Sequence, residues 1–472
     1  MRVRILAAAW AGGLAALLAG ASEPAAPSWA REVAPILFGH CVECHRPGAV
    51  GPFSLLAYPD AAKRARFLAK TVRGRVMPPW TPDGPVGAFV DERRLSHEEI
   101  ATIIRWSEAG APAGDLSAAP KPPAAPPGGW RLGTPDLVVR MRQPFTVPAG
   151  PGDVYQVFPM RFGLSGVPAD VVKRARIPET DLLAVAAIEV RAGNPRVLHH
   201  AGVFVDTSGV AERREAQEGG NGYPSFGTPG FAPAAYLGGR VPGTTPRFLP
   251  SGIAVALMPT AGDIALQIHY HATGKVETDQ SEVGIYFMRE PTSRILDALI
   301  LRSFKIDIPP GERAYAIEDS LEVPADCILM SIFPHMHYVG REVHATAELP
   351  DGTIRPLIDI GRWSFQWQDR YFYREPFLLP KGTRVRCRWL YDNSADNPSN
   401  PNEPAREVRF GPDSTDEMCG LSLGVVPVNL SDQPLLAESR RRELEKNLAA
   451  LTPEERARFR WDDAFDDLAG RK

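Results

Sequence analysis

The sequence lacks several features that mark common classes of protein. Lysine plus arginine (53) nearly balance aspartate plus glutamate (56), and the net charge of -3 comes without a long basic block. This argues against nucleic acid as a partner. Beyond the first 21 residues no stretch approaches about 18 apolar residues, so we expect no membrane span in the mature chain.

Proline and glycine, in contrast, are plentiful. Forty-seven prolines and 42 glycines over 472 residues favour many turns and short strands over a helical bundle. Hydrophobic residues at 44% and charged residues at 23% are ordinary values for globular domains. The length predicts about three domains.

The N-terminus, "MRVRILAAAWAGGLAALLAGA", has the pattern of a secretory signal. A basic start precedes an apolar stretch, and the small residues Ala19-Gly20-Ala21 suit cleavage after Ala21. An uncleaved anchor is the alternative, but the apolar run is short for a span. We therefore predict a signal peptide at 1–21 and a periplasmic or secreted protein, in which disulfides can form.

The composition then changes along the chain in a way that predicts several domains. Residues 28–115 look like a small all-α domain, in which Ser96 and Glu99 form a capping box. The Pro/Ala tract 116–129 predicts a spacer. Alternating runs such as "IALQIHYHA", "VHATAEL" and "RVRCRWLY" predict strands. We expect two all-β sandwich domains, jelly-roll-like, and a helical tail, at 130–290, 291–430 and 431–472.

The motif "CVECH" supplies Cys41, Cys44 and His45 in the C-x-x-C-H pattern that attaches c-type haem. The thiols form thioethers to the haem, and the adjacent histidine is placed under the iron. A dithiol redox pair and half of a zinc site are the alternatives. The histidine, the export signal and the helical context favour covalent haem in a cytochrome c-like domain.

A haem that transfers electrons needs a sixth ligand. Met77, in "VMPPW", is the predicted ligand, because a His/Met pair raises the reduction potential and the prolines stiffen the loop. His40 and His97 are further candidates. The alternative for Met77 is a core position, where a lone methionine is usually found.

Six of the ten histidines form three close pairs among the predicted strands. In a strand, residues i and i+2 point the same way, so the imidazoles of "PHMHYVG" leave one face together. One pair alone would suggest surface or core histidines, whereas three pairs indicate a metal site. The pairs are His199 with His200, His269 with His271, and His335 with His337.

The types of ligand narrow the choice of metal. No carboxylate lies within the pairs, which counts against a two-histidine, one-carboxylate iron site. Zinc remains possible on histidine alone. Met418, in "STDEMCG", offers a soft thioether, and thioether ligation favours Cu(I) over zinc.

Between about Pro135 and Val426 these motifs occur in an order that resembles the copper type II, ascorbate-dependent monooxygenase family, which includes peptidylglycine α-hydroxylating monooxygenase and dopamine β-hydroxylase. The matching stretches are "LHHAG", "IHY", "PHMHYVGR" and "DEMC". The resemblance implies two β-sandwiches facing each other across a cleft, each with one copper ion. It also implies hydroxylation of an activated C–H bond with dioxygen.

Matched motif by motif, the resemblance implies one copper that stores electrons and one that meets dioxygen. The thioether belongs to the second, because it stabilises Cu(I). His271 falls outside both sets and is expected behind the ligands or in the cleft, while Met336 is expected in the core. The implied ligands are His199, His200 and His269 for the first copper and, as the catalytic residues, His335, His337 and Met418 for the second.

The resemblance further implies a disulfide between Cys387 and Cys419, which would brace the turn that bears Met418. Cys327 is then left as a buried free thiol. At the substrate site the resemblance weakens, since no charged residue stands where peptide-amidating members grip a carboxylate. A peptidylglycine substrate is therefore not expected. The positions concerned are Phe333, Gly420 and Ser422.

The sequence as a whole predicts an exported dicopper monooxygenase with an unknown small-molecule substrate. A periplasmic donor, a cytochrome or an ascorbate-like reductant, would supply electrons through the fused haem. A non-catalytic electron-transfer or copper-binding protein is the alternative. A carbohydrate-binding module is another, with the aromatic stretch at 363–373 lining a sugar site, although such residues more commonly form sandwich core.

Overall fold

The computed structural model of the protein describes residues 26–458 apart from 125, 151 and 412, so the predicted signal peptide lies outside the described residues. The chain divides into two compact units. The first contains residues up to 47, 51–74 and 95–122, and the second contains 48–50, 75–94 and 123 onward. Within the described ranges, no helix is long and apolar enough to cross a membrane.

The regular elements described in the first unit are helices. They enclose a core that includes Leu37, Ile103 and Trp106. The predicted capping box is confirmed: Ser96 Oγ accepts a hydrogen bond from Glu99 N at 3.1 Å, and Ser96 N donates to Glu99 Oε2 at 2.7 Å. The α-helices are α1 (Ala34–His40), α2 (Tyr58–Ala62), α3 (Ala65–Arg73) and α4 (His97–Glu108).

The second unit is mostly antiparallel β-sheet, and its first half has two sheets in the orders β6-β3-β9-β5-β7 and β1-β11-β4-β8. Leu183, Val203, Leu266 and Ile285 are buried between them, as expected of a sandwich. Strands β2 and β10 form a separate pair. The strands are β1 (Leu137–Arg140), β2 (Phe145–Val147), β3 (Asp153–Phe162), β4 (Leu182–Arg191), β5 (Leu198–Asp206), β6 (Tyr223–Pro224), β7 (Ala235–Arg240), β8 (Ala256–Pro259), β9 (Gly262–His271), β10 (Glu277–Asp279) and β11 (Glu282–Phe287), with helices α5 (Ala169–Ala175) and α6 (Val210–Gln217).

The second half repeats this arrangement with the sheets β12-β21-β15-β18 and β14-β19-β16-β17. Its core includes Leu329, Val343, Trp389 and Leu423, and Leu436 of the C-terminal helix joins it. Strands β13 and β20 pair separately. The elements are β12 (Asp297–Arg302), β13 (Asp307–Ile308), β14 (Tyr315–Glu322), β15 (Cys327–Met336), β16 (Gly340–Glu348), β17 (Ile354–Ile360), β18 (Tyr371–Leu379), β19 (Arg384–Tyr391), β20 (Val408–Arg409), β21 (Cys419–Pro427), α7 (Gln433–Leu448) and α8 (Pro453–Arg458).

The segment 75–94 belongs to the second unit, although the sequence placed it in the small domain at 28–115. It lies along β18, where Val90 N donates to Phe372 O at 2.8 Å. Phe89 is buried against the ring of Tyr371, and this aromatic contact gives the segment its place on the sandwich. Met77 lies in the same segment with 40% of its surface exposed, and its role as haem ligand stays a prediction.

Candidate metal centre

A cavity of about 390 Å³ lies between the two sandwiches of the second unit. Its walls are the outer faces of the five-stranded sheet and of the sheet that contains β15. On β9 the side chains alternate: Ile268 and Tyr270 enter the core, and His269 between them reaches the cavity. All six residues predicted as metal ligands line this cavity, namely His199, His200, His269, His335, His337 and Met418.

A β-bulge explains how two consecutive histidines of β5 reach the same cavity. Regular alternation would send His199 and His200 to opposite faces. The register with β9 shifts, however, so that Leu198 lies opposite Tyr270 and His200 lies opposite His269. His199 is the extra residue of the bulge, which re-aims its side chain toward the cavity.

The Nδ1 atoms of the three histidines converge. His200 Nδ1 lies 3.3 Å from His199 Nδ1 and 3.1 Å from His269 Nδ1. Burial, with help from the neighbouring imidazoles, lowers the pKa of His199 to about 3 and that of His200 well below its usual value. Their rings are therefore neutral and carry lone pairs, which is the form that binds a metal ion.

Asp153 supports this cluster from behind. Its Oδ1 lies 3.2 Å from His269 Nε2 and 2.9 Å from His271 Nδ1, and its Oδ2 accepts a hydrogen bond from Ser414 N at 3.3 Å. Although burial raises the pKa of Asp153, the hydrogen bonds with His269 and His271 outweigh burial and hold that pKa below its usual range. A carboxylate behind a ligand histidine fixes the tautomer and orientation of the ring.

His335 lies near the end of β15 and His337 directly follows the strand, with their ring centroids 5.2 Å apart. His335 Nδ1 lies 2.6 Å from Gln368 Oε1, and His337 Nδ1 lies 3.2 Å from the carbonyl oxygen of Asp416. Both acceptors favour a proton on Nδ1, which leaves Nε2 of each ring as the nitrogen for a metal. Met336 between them is fully buried in the core, as expected.

Met418 is held close to this pair by a single carboxyl group. Glu417 Oε1 accepts hydrogen bonds from the backbone N–H of His337 and from that of Met418, the latter at 2.8 Å. Burial raises the pKa of Glu417 to about 8. Tyr391 Oη donates to Met418 O at 2.9 Å. The backbone that carries the thioether is thus anchored on both sides.

Phe365 separates the two groups of histidines. Its ring stacks on His199 at a centroid distance of 5.0 Å and lies 5.6 Å from the ring of His337. The rest of the aromatic stretch at 363–373 is largely internal, since Trp363, Trp367 and Tyr371 are each less than 10% exposed. These side chains serve as core and cavity wall.

The disulfide implied for Cys387 and Cys419 is not formed in the structure, where both residues are buried free thiols. They are neighbours, since Cys419 adds to the effect of burial in raising the pKa of Cys387. Cys419 Sγ instead points to the carbonyl oxygen of Ser303, at 3.2 Å. Cys327 is a buried free thiol, as expected.

Three residues of the site were missed by the sequence analysis: Asp153, Gln368 and Arg302. None belongs to a motif, and each lies far along the chain from the ligands it accompanies. Asp153 could have been suspected only from the pairing of β3 with β9, which places it opposite His271. His271 itself is half exposed and hydrogen-bonded to Asp153, behind the ligands as expected.

Comparisons with known proteins add little. No family model matches the sequence, and no curated protein matches it. Among solved structures, infectious bursal disease virus, Gx strain, is similar at 8% identity over 62% of this chain and 72% of that chain, with a TM-score of 0.17. A two-domain protein of unknown function from Bacteroides fragilis is similar at 11% identity over 58% of this chain and 94% of that chain, with a TM-score of 0.14. The N-terminal tandem CBM22 domain of a Paenibacillus barcinonensis protein is similar at 8% identity over 62% of this chain and 97% of that chain, with a TM-score of 0.14. These low TM-scores carry no argument about this chain.

Proposed function

We propose that the protein is an exported dicopper monooxygenase that hydroxylates an activated C–H bond of a small molecule. The observation that carries the proposal is the single cavity lined by both predicted ligand sets, one of three histidines and one of two histidines and a methionine. The sequence motifs supply the resemblance, and the cavity supplies a place where a substrate could lie beside the second set, with the first set lining the same cavity.

The first set fits a metal ion on its own geometry. Three Nδ1 atoms point at one another over 3.1 and 3.3 Å. The Nε2 atom of His199 is buried without a hydrogen bond, so the ring is not anchored from its far side. A bound cation would satisfy the three lone pairs together, and three-nitrogen ligation suits copper or zinc.

The second set fits copper in particular. Asp416 and Gln368 occupy the Nδ1 sides of the histidines, so Nε2 and the Met418 sulfur are the donors for a metal. A thioether with two imidazoles favours Cu(I). Bound copper would supply one-electron chemistry with dioxygen. The chain itself contributes the aromatic walls, including Phe333 and Phe410, which exclude water from the substrate.

For the first unit we propose a cytochrome c-like domain with covalently bound haem. Cys41 and Cys44 follow α1, and the turn that contains them is closed by a hydrogen bond from His45 N to Cys41 O at 2.9 Å. His45 Nδ1 lies 3.2 Å from the carbonyl oxygen of Phe53, which leaves Nε2 for the iron. Electrons from a periplasmic donor would enter through this haem.

Metal analysis and electron paramagnetic resonance of the full chain test the proposal. We expect two coppers and one low-spin haem, with the second copper weakened or lost in His335→Ala and Met418→Leu. Met258→Leu, which changes a buried methionine of the first sandwich, is the matched control. Oxygen uptake coupled to a hydroxylated product separates an enzyme from a non-catalytic carrier. A protein that binds no copper would refute the proposal.

A further inference from the structure

Arg302, the last residue of β12, brings a positive charge to the cavity. On this strand Leu299 and Leu301 are buried in the core of the second sandwich, so Ile300 and Arg302 lie on the opposite face and line the cavity. Among the described residues of the lining, Arg302 is the one arginine or lysine. The walls around it are largely aromatic, with Phe304, Phe333 and Phe410 among them.

Among the described residues, the guanidinium of Arg302 has no hydrogen-bonding partner, although the charge of Glu443 acts on it. Within the described part of the chain it makes neither a hydrogen bond nor an ion pair, and its Nε is buried and unsatisfied. Burial lowers the pKa of this side chain. A partly buried charge that faces apolar side chains without a hydrogen-bonding partner is costly, so natural proteins rarely keep one unless a ligand or a function compensates.

Glu443 acts on the Arg302 guanidinium only through its charge, and its hydrogen bonds and ion pair go to other groups. Its Oε1 accepts hydrogen bonds from the backbone N–H of Arg302 and from Asn447 Nδ2, both at 3.1 Å, and its Oε2 lies 2.8 Å from Lys446 Nζ. Glu443 therefore holds the end of β12 in place. It leaves the guanidinium of Arg302 for another partner.

The register of the sheet aligns Arg302 with the second ligand set. Arg302 lies opposite Gly420 on β21, and Gly420 lies opposite His335 on β15. Two strand spacings place the Arg302 and His335 backbones about 10 Å apart on one face. Gly420 has no side chain, so a groove is left open between the guanidinium and the imidazole.

We infer that Arg302 binds the carboxylate of a small monoanionic substrate whose apolar or aromatic body lies along this groove toward His335 and His337. This inference rests on the proposed function. One guanidinium matches one carboxylate in a bidentate pair. A phosphate dianion would retain an uncompensated charge between aromatic walls. The positions compared in the sequence analysis, Phe333, Gly420 and Ser422, carry no charge, and the cation proposed here lies on a different strand.

Calorimetric binding to the full chain tests the inference with 3-phenylpropionate and its neutral amide, 3-phenylpropanamide. We expect the wild type to bind the carboxylate at least tenfold more tightly than the amide. Arg302→Met should reduce this ratio to less than twofold, and Arg302→Lys should keep part of it. Gly420→Ala should weaken both ligands, since an added Cβ fits 3.7 Å from His335 Cβ and takes up part of the groove.

Arg384→Met, at an exposed position of β19, is the matched control and should leave the ratio unchanged. Arg302→Met should also leave the thermal midpoint unchanged or raise it, because a guanidinium whose Nε lacks a hydrogen-bonding partner is removed from apolar surroundings. A lower midpoint, an unchanged ratio in Arg302→Met, or tighter binding of phenyl phosphate than of phenylpropionate would overturn the inference. Titrations of copper-free and copper-loaded protein keep the two proposals distinct: a ratio that depends on Arg302 in a chain that binds no copper would refute only the monooxygenase.

Discussion

The two histidine sets in the cavity differ in how far the chain has assembled them. In the first set three Nδ1 atoms already face one another, and Asp153 backs the ring of His269. In the second set His335 and His337 line the same side of the cavity, and Met418 lies in the segment directly before β21. The comparison teaches that paired strands alone can bring the side chains of the first set together. The second set depends in addition on hydrogen bonds with the loop residues Gln368 and Glu417.

The largest effect is expected from His200→Ala. Its Nδ1 lies between the other two Nδ1 atoms, so its loss opens the first set at the centre. We expect the first copper to bind at least about 100-fold more weakly, beyond the usual cost of losing an outer hydrogen-bond partner. Metal content and copper competition titrations measure this. His344→Ala, which changes a partly exposed histidine paired with Glu342 and Asp359, should retain both coppers.

The next effect is expected from Asp153→Asn, which tests the support behind the first set. We expect about 10- to 100-fold weaker copper binding at the first set. The second set should change less, because Asp153 reaches its loop only through the backbone of Ser414. Site-resolved copper titration by paramagnetic resonance distinguishes the two. Asp181→Asn, at an exposed carboxylate of the same sandwich, is the control, and equal losses at both sets would contradict the comparison.

Gln368→Leu is expected to affect the second set and to spare the first. It removes the acceptor that lies 2.6 Å from His335 Nδ1, so we expect roughly tenfold weaker copper binding at the second set. The first set should be unaffected. Gln366→Leu, two residues away and exposed, is a close control because its amide contacts Tyr338 instead. Were Gln366→Leu to match Gln368→Leu, the loss would come from the loop as a whole.

The smallest effect is expected from His271→Ala. This histidine also contacts Asp153, but its side chain is 49% exposed, and exposed ion pairs contribute at most about 1 kcal/mol. Copper affinity at the first set should therefore fall by less than about fivefold. The same competition titration applies. A tenfold loss would show that His271, more than the fold, orients Asp153.

Much of the β architecture could be predicted because strand patterns are local. Runs such as "IALQIHYHA" and "RVRCRWLY" do form β9 and β19, and the capping box of Ser96 and Glu99 is present. Segment 75–94 was misplaced because its affinity for β18 depends on long-range aromatic packing. The local hydrophobic pattern of the sequence gives no sign of the contact between Phe89 and Tyr371.

The sequence by itself determined that His335 and His337 share a face, since an interval of two residues on a strand has the same outcome in any sheet. The sequence could not determine in which direction the side chains of His199 and His200 point, because the β-bulge at His199 forms only when β5 pairs with β9. Arg302 shows the same limit. In the sequence, an arginine at the end of a strand resembles a surface residue. Only the tertiary structure, in which the two sandwiches enclose the cavity, places its charge among apolar side chains.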